Sequence, residues 1–255
     1  MKSAAGWRPG KFRRTTEMAE FFCDLHIHSC LSPCGSDDMT PANICGMAVV
    51  KGLQMIAVTD HNTARNLPTV KLICDAYGLG MIPGMEITTR EEVHLLGYFP
   101  TVDAALDFSD FLKPHMPKQK NKPKLFGNQL IMDEDDNVIG EEDTLLIGAS
   151  DLKLSELTKL VREAGGVPVP AHINRGSNGL LVNLGMMPEE LGFTAVEVWR
   201  ALPCAHSPQA GKVVLHSSDA HYLGDILEPE ITIELPEATP EAFLEYLRAG
   251  KPNSQ

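Results

Sequence analysis

Short apolar runs alternate with stretches of helical periodicity along most of the chain. The runs that predict strands are Phe21–His26, Met55–Thr59, Met81–Ile87, His94–Phe99, Val167–Ala171, Ala195–Trp199, Val213–Ser217 and Ile231–Leu235. They are short, rich in Val, Ile and Leu, and often unalternated, as strands buried on both faces are. Between them, Thr40-Pro41 sets an N-cap and a first-turn proline ahead of Ile44, Met47 and Ala48, and Gly52 stops that helix. Leu154, Leu157, Leu160, Val161 and Ala164 repeat at helical spacing before Gly165-Gly166, and Thr239-Pro240 opens a last helix carrying Phe243, Leu244 and Leu247. Strand alternating with helix predicts an α/β fold with a parallel sheet and right-handed crossovers. With this many units the expectation is a closed or nearly closed barrel.

One stretch breaks the rhythm. From Thr101 to about Ser150 the chain turns polar, with Lys118, Lys120, Lys122 and Lys124 followed by acidic residues. Within it, two apolar segments flank an Asp135-Asp136-Asn137 turn and predict a hairpin. The reading is a tail over residues 1–19 and a single domain over 20–255. An insertion at about 101–150 is either a lid over the site or a solvated excursion.

The polar residues fall in a pattern. His26 and His28 close the first strand in DLHIHS, and their i, i+2 spacing points both to the same side. Asp60 and His61 end the second strand, Glu86 the third, and His172 follows the fifth. Asp219 and His221 follow the seventh in HSSDAH. His94 alone opens its strand. In a parallel barrel the C-terminal strand ends converge on one mouth, where active sites sit. One His at a strand end is usually structural and one Asp after a strand is usually a cap. Two such pairs and three further donors at matching positions are not ordinary. Eight strong donors exceed the three that one catalytic zinc takes, so two or three divalent ions (Zn, Mn or Fe) are expected, with Glu86 as the bridging carboxylate. Clustered ions suit phosphoester hydrolysis by a metal-activated hydroxide. His115, His206 and His216 lack this placement and are read as surface or packing residues.

Composition narrows the partners. The 255 residues are 43% hydrophobic, enough for a sizeable core, and no run approaches a membrane span. Charge sums as 22 − 34 = −12, which argues against gripping duplex nucleic acid through a broad basic face. It leaves a small phosphorylated substrate or a nucleotide open, because bound cations reverse the local sign. Six scattered cysteines without a CxxC pair, and a basic N-terminus without an apolar core, predict a reduced cytoplasmic protein.

DLHIHS, TDHN, the Glu of GMEITT, the His of PAHINR and SSDAH resemble the successive motifs of the polymerase and histidinol phosphatase (PHP) family, from about Phe22 to Ile226. The resemblance implies a metal-dependent phosphoesterase on a distorted seven-stranded (β/α)7, TIM-like barrel, with Ile231–Leu235 as an accessory strand. It implies one ion on His26, His28, Glu86 and Asp219, and a second on Glu86, His94 and His172. A third would sit on His61, His221 and a ligand from the loop CLSPCGSDDMTP. Asp37 or Asp38 is expected there, with Cys34 the weaker choice. Asp60 would orient a ligand imidazole; separately, the residues leave Asp60 or a histidine as the general acid for the leaving alkoxide. Amidohydrolase barrels share the first motif, but they commonly use a bridging Lys where this chain has Glu86.

Arg175, just after His172, is the expected phosphate clamp, with Arg65 and Arg90 as further candidates, since a guanidinium binds two oxygens. Two other functions stay open: a nuclease or nucleotide phosphatase acting on single-stranded ends, and a non-catalytic metal-binding partner protein.

Overall fold

The structure, a computed structural model, describes residues 17–250, so most of the expected N-terminal tail lies outside the described residues. In chain order the elements are β1 (Ala19–Ile27), α1 (Pro41–Val50), β2 (Met55–Val58), α2 (Leu67–Tyr77), β3 (Gly80–Met81), β4 (Gly84–Thr88), β5 (His94–Tyr98), α3 (Val102–Leu112), α4 (Pro123–Phe126), β6 (Leu130–Met132), β7 (Val138–Glu141), α5 (Leu154–Glu163), β8 (Val167–Pro170), α6 (Leu180–Leu184), β9 (Ala195–Glu197), β10 (Val213–Leu215), β11 (Thr232–Leu235) and α7 (Pro240–Ala249). The helix signals act as expected. Thr40 and Thr239 accept from the backbone N–H of Asn43 and Ala242, and Pro41 and Pro240 open the first turns of α1 and α7.

The strands form four separate sheets, ordered β11-β1-β2-β3, β4-β5-β8, β9-β10 and β6-β7, and no closed barrel is seen among the described residues. Isolated bridges join three of them at one end: His61 pairs with Glu86, and Ile27 with Ala220, both in parallel sense. The expected strand Met81–Ile87 is broken at Pro83 into β3 and β4, because proline cannot donate to a ladder.

The expectation of an all-parallel sheet is corrected at β5, which runs antiparallel to both β4 and β8. Only five residues, 89–93, connect β4 to β5. A parallel crossover needs a dozen or more, so the pair can only be a hairpin. This explains the exceptional placement of His94. On a reversed strand the N-terminal end lies at the mouth, and His94 pairs with Thr88 there.

Burial on both faces follows the strand pleat. Met55 and Ala57 of β2 join one apolar cluster with Tyr98, Val169 and Phe243, while Ile56 and Val58 join another beneath the outer helices. Inside the first cluster the Tyr98 hydroxyl donates to Leu25 O at 2.9 Å, and its ring meets Phe243 edge-on. That layer is the dry floor under the site.

The 101–150 stretch is not polar throughout. Its first part is α3, whose Ala105, Phe108 and Leu112 are buried. The expected hairpin forms as β6 and β7. It packs on the loop after β1: Leu130 N donates to Cys30 O, and a side chain at Gly127 would run into Pro33 O.

Candidate metal centre

Glu86 lies at the centre of the mouth, fully buried on β4. Five imidazoles from four parts of the chain approach its two oxygens. His94 Nδ1 is 2.8 Å away, His61 Nδ1 and His172 Nε2 are 3.1 Å, His28 Nε2 is 3.3 Å and His26 Nε2 is 3.4 Å. Asp219 forms a second focus, its Oδ1 lying 3.1 Å from His28 Nε2 and 3.4 Å from His26 Nε2. His221 stacks on His28 with ring centroids 4.4 Å apart.

These contacts do not behave as ordinary hydrogen bonds. Glu86 Oε2 and the Nδ1 atoms of His61, His94 and His172 are buried without a hydrogen-bond partner, although such groups are normally satisfied. His26 Nε2 faces His28 Nε2 at 3.1 Å, nitrogen against nitrogen. Two ligands each about 2.1 Å from one ion stand about 3.0–3.4 Å apart at octahedral or tetrahedral angles. Apart from His94–Glu86 at 2.8 Å, the observed spacings of 3.1–3.4 Å match that range, so the residues present fit divalent ions. Three groups of donor atoms lie within 4.8 Å of one another: His26, His28, Glu86 and Asp219; His61, Glu86 and His94; and His28, His61 and His221.

Protonation shows the same mismatch. Burial disfavours the charged imidazole of His28, but hydrogen bonds to Asp219 and Glu86 and their charges carry it up to about 9. Burial and the charge of His28 oppose the His61 cation, yet Cys34 and Glu86 bring it to about 9 as well. At His94 burial outweighs Glu86 and holds the imidazole down to about 4; at His221 burial and His28 do the same. Glu86 and Asp219, although buried, are held well below the usual carboxylate range by the histidines around them.

Several groups behind the donors fix their orientation. Glu197, at the end of β9, meets His26 Nδ1 at 3.0 Å and accepts from His172 N at 3.0 Å. It is 2% exposed and is not among the residues read as functional from the sequence. Its only signal is an acid inside the apolar run AVEVW. Asp60 accepts from Ser29 N, Ser29 Oγ and Ser32 Oγ at 2.6–2.7 Å, and Ser32 Oγ bonds His28 Nδ1 at 3.0 Å. Asp60 therefore orients His28 through Ser32, and its hydrogen bonds among the described residues go to Ser29 and Ser32, not to the His61 ring. Both of its oxygens are engaged and it is 2% exposed.

The backbone is tense at the same place. Asn62, His172 and Asp219 have φ of 55°, 27° and 53°. Non-glycine residues in that region cost of order 1–3 kcal/mol and persist where surrounding structure holds them.

Above the donors is a cleft of about 110 Å³, walled by Glu86, Asp219, four imidazoles and Arg175. Arg175 stacks on Trp199 at 4.8 Å and pairs with Asp219 Oδ2. The other candidate clamps are elsewhere. Arg65 pairs with Asp110 at 2.7 Å, and Arg90 is exposed away from the cleft walls. Neither expected loop acid reaches the donors. Asp37 accepts from the Asn128 amide at 2.8 and 3.0 Å, and Asp38 is exposed. Cys34 is the loop side chain that arrives, its Sγ 3.2 Å from His221 Nε2.

No protein-family model matches the chain. In sequence it is 35% identical over 88 residues to an uncharacterised protein of Methanocaldococcus jannaschii, covering 31% of this chain and 51% of that protein. It is 29% identical over 113 residues to a 5'-3' exoribonuclease of Salmonella typhimurium, covering 42% of this chain and 37% of that protein. The chain thus spans about half or less of these curated relatives.

In structure it is similar to the lesion-specific endonuclease Q of Pyrococcus furiosus, with TM-score 0.66 and 18% identity over 90% of this chain and 56% of that one. Endonuclease Q has also been seen with a 27-mer duplex carrying an abasic lesion at the active site. A metal-dependent phosphoesterase of Bifidobacterium adolescentis matches with TM-score 0.59 and 20% identity over 90% of this chain and 96% of that one. A two-domain Bacteroides vulgatus protein containing a PHP-like metal-dependent phosphoesterase matches with TM-score 0.50 and 15% identity over 91% and 63%. These neighbours are hydrolases. They bear out the resemblance read from the motifs, and the chain has their mixed α/β fold. A duplex at the active site of one of them means that this fold does not itself exclude such a partner. Among the described residues no helix is long and apolar enough to cross a membrane.

Proposed function

We propose that this PHP-type chain hydrolyses a phosphate ester, and that His26, His28, His61, Glu86, His94, His172, Asp219 and His221 hold two or three divalent ions for that purpose. The observation that carries the reading is Glu86, a buried carboxylate faced by five imidazoles within 3.4 Å. On the same reading β1, β2, β4, β5, β8, β9 and β10 are the seven strands of a distorted barrel, supported by the bridges at Glu86 and Ala220.

Bound ions would supply Lewis acidity to phosphoryl oxygens and lower the pKa of water. The chain supplies the rest. Arg175, whose guanidinium lies over Trp199, is at the cleft wall with Nη1 on Asp219, where a phosphate oxygen can take that N–H from the carboxylate. Glu197 and the Asp60–Ser32 pair keep His26 and His28 in one tautomer. A cleft of about 110 Å³ is small beside ordinary ligand pockets of roughly 300–1,000 Å³, so it admits the phosphoryl group and leaves most of the leaving group outside.

Purified chain loaded with Mn or Zn should cleave an aryl phosphate, and Glu86→Ala should lose metal and turnover together. Silence across a panel of mono- and diesters, with metal bound, would leave a non-catalytic metal-binding protein.

A second reading, a nuclease acting on single-stranded ends, is favoured by one observation. Lys118, Lys120, Lys122 and Lys124 are exposed and take part in no ion pair among the described residues. Their segment pairs with Thr144, two residues before Leu146, whose carbonyl accepts from the side chain of Asn62 beside His61. Faster, salt-sensitive cleavage of a 5'-phosphorylated oligonucleotide than of aryl phosphate would select it.

A further inference from the structure

Each imidazole has two ring nitrogens, and that count leaves one donor group short. His28 commits Nδ1 to Ser32 Oγ at 3.0 Å. Its Nε2 faces Asp219 Oδ1 and Glu86 Oε2 at 3.1 and 3.3 Å. An ion among His26, His28, Glu86 and Asp219 takes that nitrogen. An ion beside His61 and His221 is then left with two imidazoles.

Cys34 reaches that pair. Its Sγ is 3.2 Å from His221 Nε2, and that imidazole belongs with His61 and His28 to one group of donor atoms within 4.8 Å of one another. His61 is 5% exposed, and its Nδ1 faces Glu86 Oε2 at 3.1 Å, which leaves its Nε2 for this ion. The loop around the cysteine is built to hold it there. Ser36 N donates to His221 O at 2.9 Å and Gly35 N to Ser32 O at 2.9 Å. Gly35 has no room for a side chain, since a Cβ would meet Ser29 O at 2.7 Å.

We propose that Cys34 is a thiolate ligand of the ion held by His61 and His221, and that it biases this position toward zinc over manganese. The assignment rests on reading the mouth as a multi-ion phosphoesterase centre. On ligation the thiol proton leaves to solvent and a sulfur–metal bond forms. Thiolate is a soft donor and manganese prefers oxygen, so the thiolate sets the preference. Two imidazoles and one thiolate leave a fourth position open, as catalytic zinc sites do.

The test uses metal-free full-length chain. Titration with cobalt(II) should give a near-ultraviolet sulfur-to-cobalt charge-transfer band that Cys34→Ala and Cys34→Ser abolish, leaving the visible bands of the other ions. Zinc affinity of the weakest-bound equivalent should fall about 10–100-fold in both variants. Cys34→Asp should retain that equivalent and shift its preference to manganese. Without any substitution, zinc should slow alkylation of the Cys34 peptide by iodoacetamide. A cobalt spectrum unchanged in Cys34→Ala, or alkylation indifferent to zinc, would overturn the proposal. Chain that binds metal through Cys34 but turns over no ester would sink the phosphoesterase reading alone.

Discussion

Both oxygens of Glu197 face Nδ1 of His26, at 3.0 and 3.2 Å, and one of them also accepts from the backbone N–H of His172 at 3.0 Å. One buried carboxylate thus fixes donors carried by two different strands. With Nδ1 held as the donor, the Nε2 lone pair of His26 turns toward the centre. Glu197→Gln preserves shape but sets an amide NH2 against one of two N–H groups. Zinc affinity should fall about 10–100-fold, read by chelator competition. An unchanged affinity would show that His26 needs no such support.

Ser32→Ala cuts the path from Asp60 to His28 while leaving every donor atom in place. Metal affinity should drop roughly tenfold. Asp60→Asn should also weaken metal binding, and it should leave the acid and base limbs of the pH–rate profile where they were. A shifted limb would restore Asp60 as a proton donor.

The metal-free protein should show a definite dependence of stability on pH. His28 and His61 sit at about 9, above the ordinary 6.5. Their protonated contacts stabilise the fold fully below pH 6.5, and that contribution is lost as pH rises through about 9. Glu86 and Asp219 are held low, so their contribution is present above pH ~4 and lost only in strong acid. Ions compete with protons for the same nitrogens. Metal affinity should therefore climb from pH 6 to 9, and binding at pH 7 should release protons. Calorimetry in buffers of different ionisation heat measures that release; none at pH 7 would contradict the assignment.

Arg175→Ala should raise KM for a phosphate ester and leave metal content intact, since Asp219 keeps its histidine contacts. Gly179→Ala should imitate it from a distance, because the added Cβ would run into Arg175 O. Loss of metal in Arg175→Ala would make the arginine part of the ion-holding structure instead.

Much of the centre is legible in local spacing. DLHIHS and SSDAH each place two donors on one side of a strand end, and strand ends share a mouth. The direction of β5 is legible too, but only by counting: residues 88–93 separate the two predicted strands, too few for a helical crossover. Helix α3 is hidden by Asp103, Asp107 and Asp110, which mask the spacing of Ala105, Phe108 and Leu112. Glu197 is harder, since an acid in a strand normally marks the wet face. Expecting Asp37 or Asp38 over Cys34 follows the family resemblance, whereas the loop's own hydrogen bonds decide which side chain arrives. Those bonds join residues 36 and 221 and have no trace in one dimension.

The reversed strand has a consequence for how the molecule assembles. Glu86 and His94 are joined by one short hairpin, so their meeting needs almost no loop closure, while His26, His172 and Asp219 arrive from far along the chain. Closing this one hairpin is enough to bring one acid and one imidazole to within 2.8 Å of each other. Divalent cation present during refolding should then accelerate it, and a stopped-flow comparison with and without zinc would measure the gain.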